Sequence, residues 1–359
     1  MKKTIAIILS FLMLVMVFTG CSNNTAGDAN DTQGNAQTNG QSNSQPAGNT
    51  DATKDPLKIG VSYPVIDTPW TVANSNSFVE AGEKMGMEVI LTNAENSAEK
   101  QFSDIEDLIS RGCDVIYIYA VDTEAIAPAI DAIKDAGKDC VIFNRVVEAR
   151  TAPDDYAFTC IGDAYQDGEM CGSWLAENYK NYFGDEPMKV IHLTGPTSAS
   201  DANLRGQGFL ETLDKNFDGE YEVVATQNAD WLRVDAQKVM QNLIQSTGGN
   251  FNVVYAHNNE MALGAIAAMK QAGIKVGEDV IVVTIDTTKE TVQACIDGDI
   301  EYIVAVPPVL GEFYFQKYLD YLDGTFKDTV VIAPHAEVTR DRGLKVGLVL
   351  AVERDDVAL

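Results

Sequence analysis

Apolar residues along this chain fall into short runs rich in Val, Ile and Tyr, separated by stretches in which apolar positions recur every third or fourth residue. The runs are Ile59-Gly60-Val61, Val89-Ile90-Leu91, Val115 to Tyr119, Val141-Ile142-Phe143, Val190 to Leu193, Val223-Val224, Val253-Val254-Tyr255 and Val280 to Ile285. None shows the strict alternation of a half-exposed strand, so each is predicted to be a parallel strand covered on both faces. Between them, Phe102, Ile105, Leu108 and Ile109 form one helical stripe behind an Asn96-x-x-Glu99 start that reads as a capping box. Ile126, Ile130 and Ile133 form a second before Gly137, and Ala262, Ala265, Ile266 and Met269 a third, ended by Gly273. Repeated strand-helix units predict doubly wound α/β sheets with ligands beyond the carboxyl ends of the strands.

The start of the chain does not follow that pattern. Met1-Lys2-Lys3, an apolar run from Ile5 to Phe18 and then Thr19-Gly20-Cys21 read as a secretory leader, too short and wrongly flanked for a membrane span. Its end resembles the bacterial lipobox, with Phe18 where Leu is usual, which makes Cys21 the expected lipidated N-terminus. Ser22 to about Lys54 has no Val, Ile, Leu or aromatic residue, so it cannot bury enough apolar surface to fold and is expected to be a flexible leash. The expected order is a leader over 1–20, Cys21 with its linker to 56, and a folded part from Leu57.

Composition narrows the partners. With 53 acidic against 26 basic residues the formal net charge is −27, which disfavours nucleic acid and anionic membrane surfaces and leaves the lipid as the membrane contact. Of six cysteines, Cys113, Cys140, Cys160, Cys171 and Cys295 follow Cys21. They form no C-x-x-C pair and are expected to be buried free thiols, Cys160 and Cys171 being the nearest candidates for oxidation. Gly206-x-Gly208 lacks a third glycine, no phosphate-binding G-x-x-x-x-G-K-S/T loop occurs, and His192, His257 and His335 have no zinc-ligand spacing. Without a G-x-S-x-G elbow or any nucleophile-base pair, a binding protein is expected, with no enzyme activity, cofactor or metal. His192, inside an apolar run, reads as a satisfied core residue.

Polar and aromatic residues gather at strand ends instead. Asn144-Arg145 closes the strand at Val141–Phe143, Asn258 follows the strand ending at Ala256, and Asp286 ends Ile281–Ile285, where a helix N-cap is its other reading. Arg205 is expected to open a helix after the loop from Thr194 to Ser200, and Trp231 lies in Ala229-Asp230-Trp231. Such a set suits a sugar: indoles cover its C–H face, guanidinium forks donate to neighbouring hydroxyls, and carboxylates and amides accept.

The stretch Tyr255-Ala-His-Asn-Asn-Glu-Met-Ala-Leu-Gly-Ala265, followed by Ala272-Gly273-Ile274, Asp286 and Asp297-Gly298, resembles the periplasmic binding proteins of ribose type, related to the ligand domain of lactose-repressor-like regulators. The resemblance runs from about Lys58 to about Val338 and is greatest to the galactofuranose binders. It implies two Rossmann-like lobes, 57–162 plus 307–329 and 163–306 plus 330–359, joined by three crossings near Asp163, Val306-Pro307 and Val330. It also implies a monosaccharide held by Trp70, Asn144, Arg145, Asp163, Arg205, Trp231, Asn258 and Asp286. Three positions depart from the family: Asn144 replaces an Asp, Thr71 an Arg, and Pro307 an amide. The function so implied is a monomeric, lipid-anchored solute carrier that passes its sugar to an ABC permease, the alternative being a sensor subunit reporting a sugar or quorum signal to a membrane kinase.

Overall fold

The computed structural model describes residues 56–339. The leader, Cys21 and nearly all of the linker lie outside that range, as does the chain beyond Thr339.

The strands form two six-stranded sheets. The first contains β1 (Lys58–Tyr63), β2 (Glu88–Asn93), β3 (Val115–Ile118), β4 (Asp139–Phe143), β5 (Phe158–Ile161) and, from late in the chain, β11 (Val330–Ile332), in the order β11-β5-β4-β3-β1-β2. The second contains β6 (Met188–Thr194), β7 (Tyr221–Asn228), β8 (Val253–Ala256), β9 (Ile281–Ile285), β10 (Tyr302–Ala305) and β12 (Ala336–Thr339), in the order β12-β10-β9-β8-β6-β7. All pairs are parallel except β12 on β10. β3, β4, β8 and β9 are buried throughout apart from the first residue of β4, as their unalternated apolar runs require, whereas β2 and β7, at the sheet edges, are mostly half-buried or exposed and correct the expectation that every run is covered on both faces. In each sheet the order reverses beside the strand that opens the lobe, β1 or β6, and this places a ligand crevice at the carboxyl ends of the strands.

Nine helices connect the strands among the described residues: α1 (Pro69–Met85), α2 (Ala98–Ser110), α3 (Ala127–Asp135), α4 (Ala164–Phe183), α5 (Ser200–Asn216), α6 (Arg233–Thr247), α7 (Asn259–Gln271), α8 (Lys289–Asp297) and α9 (Gly311–Leu322). Three of their starts correct the sequence reading. α2 is capped by Ser97, which accepts from the Lys100 amide, and not from Asn96, whose backbone is left-handed. α5 begins at Ser200, so Arg205 sits in its second turn instead of opening it. α8 is capped by Thr288 in a reciprocal pair with Thr291, which frees Asp286 from capping.

The chain passes between the sheets after Ile161, between Ala305 and Gly311, and between Ile332 and Ala336. α9 returns to the first lobe, where Phe315 and Phe78 of α1 lie edge to face at 5.4 Å and Phe78 meets Phe143 at 5.2 Å. The third crossing was expected near Val330, but Val330 pairs with Thr159, so Val330–Ile332 belongs to the first sheet and the crossing is Ala333-Pro334-His335. A three-residue strand added at a sheet edge is too short for periodicity to show it. All five described cysteines are buried, and Cys113, Cys140, Cys160 and Cys171 are free, so Cys160 and Cys171 do not pair.

Candidate functional site

A cavity with about 680 Å³ of empty space, open solvent at its mouth included, lies where the strand ends of the two sheets face each other. Asp67, Thr68, Trp70, Thr71, Asn96, Tyr119, Asn144 and Arg145 line it from the first lobe. Asp201, Arg205, Asp230, Trp231, Asn258 and Asp286 line it from the second, and Val306 of the second crossing completes the wall. Seven of the eight residues singled out in the sequence therefore share one cavity. Asp163 is not among its lining residues; it caps α4, where its carboxylate accepts from the Gln166 amide at 2.9 Å.

Local backbone geometry brings these side chains together. The described residues hold six non-glycine positions with left-handed φ, and five of them line the cavity: Asn96 at 60°, Asn144 at 66°, Asp230 at 49°, Trp231 at 65° and Asp286 at 68°. This conformation costs energy for an L-residue, least for Asn and Asp, and it reverses the chain sharply at the end of a strand. Gly195 makes room for the Trp231 ring, since a Cβ there would lie 2.0 Å from Cζ2 of the indole. Asn258 caps α7 by accepting from Met261 N and donates from Nδ2 to the Trp231 carbonyl at 3.1 Å, fixing the turn that presents the indole. The buried Nε1 of Trp231 has no hydrogen-bond partner among the described residues. Opposite, Trp70 in the first turn of α1 donates from Nε1 to the Val306 carbonyl at 3.0 Å.

The two arginines are held in different ways. Arg145 donates from Nη1 to the Ala120 and Val121 carbonyls at 2.5 and 3.2 Å, and its guanidinium lies 4.8 Å from the Tyr119 ring centre. Its Nε donates to Asp201 Oδ1 of the other lobe at 3.1 Å, with both side chains under a tenth exposed. Burial opposes its charge, but Asp201 and Tyr119 together outweigh it, so Arg145 is raised above the ordinary range. Arg205 donates from Nε and Nη2 to Asp167 Oδ2 at 3.2 and 3.1 Å and from Nη1 to the His257 carbonyl at 2.8 Å. Its Nη2 is 3.6 Å from Asp286 Oδ1, and Trp231 lies beside it. Burial again opposes the charge, and Asp286 and Asp167 outweigh it.

Glycine places Arg205 against Asp167. A Cβ on Gly168 would come within 2.1 Å of the Arg205 carbonyl, so α4 and α5 cross backbone to backbone at this point. Burial pushes Asp286 up to about 7 against the pull of Arg205, with Asp167 and Asp201 adding to the rise. Behind the cavity His192 and His257 share a 2.7 Å Nε2 contact, and burial lowers both, His192 to about 4. His192 is thus a satisfied core residue, as its apolar run implied.

Asp167, Asp201 and Tyr119 were missed in the sequence. Asp167 and Asp201 could not be told from the acidic background, and Tyr119 reads as the end of a strand. The departures also gain a local meaning. Thr71 takes part in a reciprocal cap with Thr68, its Oγ1 accepting from Thr68 N at 3.1 Å, so this position serves the start of α1. Across the second crossing the Pro308 carbonyl accepts from Asn74 at 2.6 Å.

The chemistry available is that of binding: fixed donors, fixed acceptors and two aromatic faces, with no group of three or more His, Cys, Asp or Glu placed for a metal among the described residues. Residues 59–325 match the family model described as a periplasmic binding protein domain. The chain is 30% identical to a ribose import binding protein of Bacillus subtilis over 78% of this chain and 87% of that one. It is 28% identical to a galactofuranose-binding protein of Escherichia coli, covering 77% and 86%. A crystal structure of a Mycobacterium smegmatis protein in complex with β-D-fucofuranose superposes with a TM-score of 0.75 at 29% identity, covering 80% of this chain and 92% of that one. With its two doubly wound sheets, three crossings and shared crevice, the chain belongs to the periplasmic binding protein family and is a binding protein, not an enzyme.

Proposed function

We propose that the protein is an extracytoplasmic lipoprotein, anchored through Cys21, which binds a monosaccharide between its lobes and delivers it to an ABC importer. The observation that carries the reading is the wall chemistry: Trp70 and Trp231, two guanidinium groups already fixed by the protein, and Asp201, Asp286, Asn144 and Asn258 share one cavity built from both lobes. A small apolar ligand would leave those polar groups unpaired, whereas a neutral polyhydroxyl compound satisfies donors and acceptors together. The names of the relatives, importers or binders of ribose, galactofuranose and fucofuranose, agree with a pentose or hexose, the furanose form included. Ligand bridging both lobes stabilises the closed state, the form a permease recognises. No helix among the described residues is long and apolar enough to cross a membrane, in keeping with attachment through the N-terminal lipid.

Calorimetric titration of the purified protein with pentoses, hexoses and furanosides tests the ligand class. At least one is expected to bind at a ratio of one to one, and failure of the whole panel overturns the reading. Anchoring is tested separately, because Cys21→Ser is expected to release the protein from the membrane fraction into the medium.

A further inference from the structure

One buried titratable group belongs to no wall of the cavity. His335 lies on the third crossing with its side chain 2% exposed, and its Nδ1 is 3.0 Å from Asp167 Oδ1, an ion pair when the imidazole is protonated, although the two atoms do not meet at a hydrogen-bonding angle. The other oxygen of that carboxylate is the one that accepts both Arg205 bonds. On its far side the imidazole packs against the first crossing: a Cβ on Gly162 would lie 3.1 Å from His335 Nε2, and 3.8 Å from Val306 of the second crossing. Nε2 has no hydrogen-bond partner among the described residues. One imidazole therefore sits where all three crossings meet and touches the carboxylate that aims Arg205 at the cavity.

We propose that His335 is a positioning residue for ligand binding, holding Arg205 in its gripping orientation through Asp167 and making that orientation depend on how the three crossings are packed. The physical reason is the division of the Asp167 carboxylate. With the Nδ1 edge of the imidazole 3.0 Å from Oδ1, charge attraction holds that oxygen toward the third crossing, while Oδ2 accepts from the Nε and Nη2 of Arg205. Without that attraction the buried carboxylate can rotate and the guanidinium loses its orientation. Asp167 and Asp163 from α4, Arg205 from α5 and Asp286 from the end of β9 surround the imidazole electrostatically. Burial disfavours its charge, but Asp167 outweighs burial and raises His335 above its ordinary value.

The inference rests on the sugar-binding reading, and the test separates the two. D-ribose, L-arabinose, D-galactose and D-fructose are titrated into wild-type, His335→Leu and His335→Asn proteins. For the sugar that wild type binds best, His335→Leu is expected to weaken affinity by at least about tenfold, the cost of a lost partner to a buried charge. His335→Asn, whose amide N–H can stand in for Nδ1, is expected to stay within about threefold of wild type. In sugar-free protein labelled with ¹⁵N-arginine, the Nε–H resonance of Arg205 is assigned by its loss in Arg205→Lys. In wild type it is expected to move between about pH 5.5 and 8.5 by more than in His335→Asn, where only Asp286 titrates beside it. A folded His335→Leu protein with wild-type affinity, or identical titrations in wild type and His335→Asn, overturns the proposal. If His335→Leu does not fold, the comparison of wild type with His335→Asn still decides. If wild type binds none of the four sugars, the functional reading is the one in difficulty, and the sugar-free resonance still judges His335.

Discussion

The two lobes build their halves of the cavity by different means, and the arginines show it. Arg205 is bound wholly within the second lobe, by Asp167 of α4 and the carbonyl of His257, so its position exists before any lobe closes. Arg145 rests on carbonyls of its own lobe and spends its Nε on Asp201, across the cleft. Beside that pair, Thr123 N meets the Ser198 carbonyl at 3.3 Å and Val146 N meets Ser200 Oγ at 3.0 Å. The second lobe thus offers a preassembled platform, whereas the first completes its site only by touching its neighbour. Preassembly favours affinity, because little ordering remains to be done when ligand arrives, and contact across the cleft links binding to closure.

The largest test of this contrast is Arg205→Ala. It leaves Asp167 and Asp286 buried without their shared cation, so a loss of about 3 kcal/mol or more in folding stability is expected, with at least about 2 kcal/mol of sugar affinity. Denaturant melts and calorimetry measure the two separately. Asp201→Asn should act on closure: the sugar-free protein becomes more open, read as a larger radius of gyration in solution scattering. Affinity falls by about tenfold as the binding-competent population shrinks, with little change in melting temperature relative to Arg205→Ala. If the scattering does not change, the bond across the cleft has no part in closure.

A third test uses pH. Asp286 holds its proton in the folded protein up to about pH 7, because it is buried, whereas an unfolded aspartate loses it near ~4. The folded state binds more protons between those values, so this group's contribution to stability is complete below the lower one and is lost as pH rises to the upper one. Sugar-free Asp286→Asn has no such titration. Its melting temperature relative to wild type should therefore rise as pH increases from about 4 to about 7, and a constant difference would contradict the assignment. The smallest effect is expected from Thr71→Val, which removes one half of the cap on α1. It should cost about 1 kcal/mol of stability and weaken sugar binding far less than Arg205→Ala does, as melts and calorimetry would show.

How much of this could be read in the sequence follows from the physics of each signal. Val115 to Ile118 and Ile281–Ile285 are strands buried on both faces, and burial writes itself as an unbroken apolar run. β5 and β12 are interrupted by Thr159 and by Glu337 and Thr339, which breaks the apolar run, and β11 has only three residues; these strands and β10 are not among the runs singled out in the sequence. Arg145, Arg205 and Trp231 stood out only as a set, since each alone reads as readily as a core aromatic or a solvated ion-pair partner, and Trp70 joined them through the family resemblance. Asp167 and Asp201 did not stand out among 53 acidic residues. Their importance comes from a close helix crossing at Gly168 and a contact across the cleft, and both are long-range events without a local trace. Asp163 failed for the converse reason: its place at the first crossing suggested the ligand, while its carboxylate was needed to start α4.

The left-handed turns at Asn96, Asn144, Asp230 and Asp286 carry a consequence for how such a protein can change over generations. That backbone admits asparagine, aspartate and glycine far more readily than bulky or β-branched residues. Single substitutions that survive at these four rim positions therefore mostly exchange one oxygen-bearing side chain for another or delete it. Descendants can drift readily among related polyols, while conversion to a carrier for greasy cargo demands rebuilt loops.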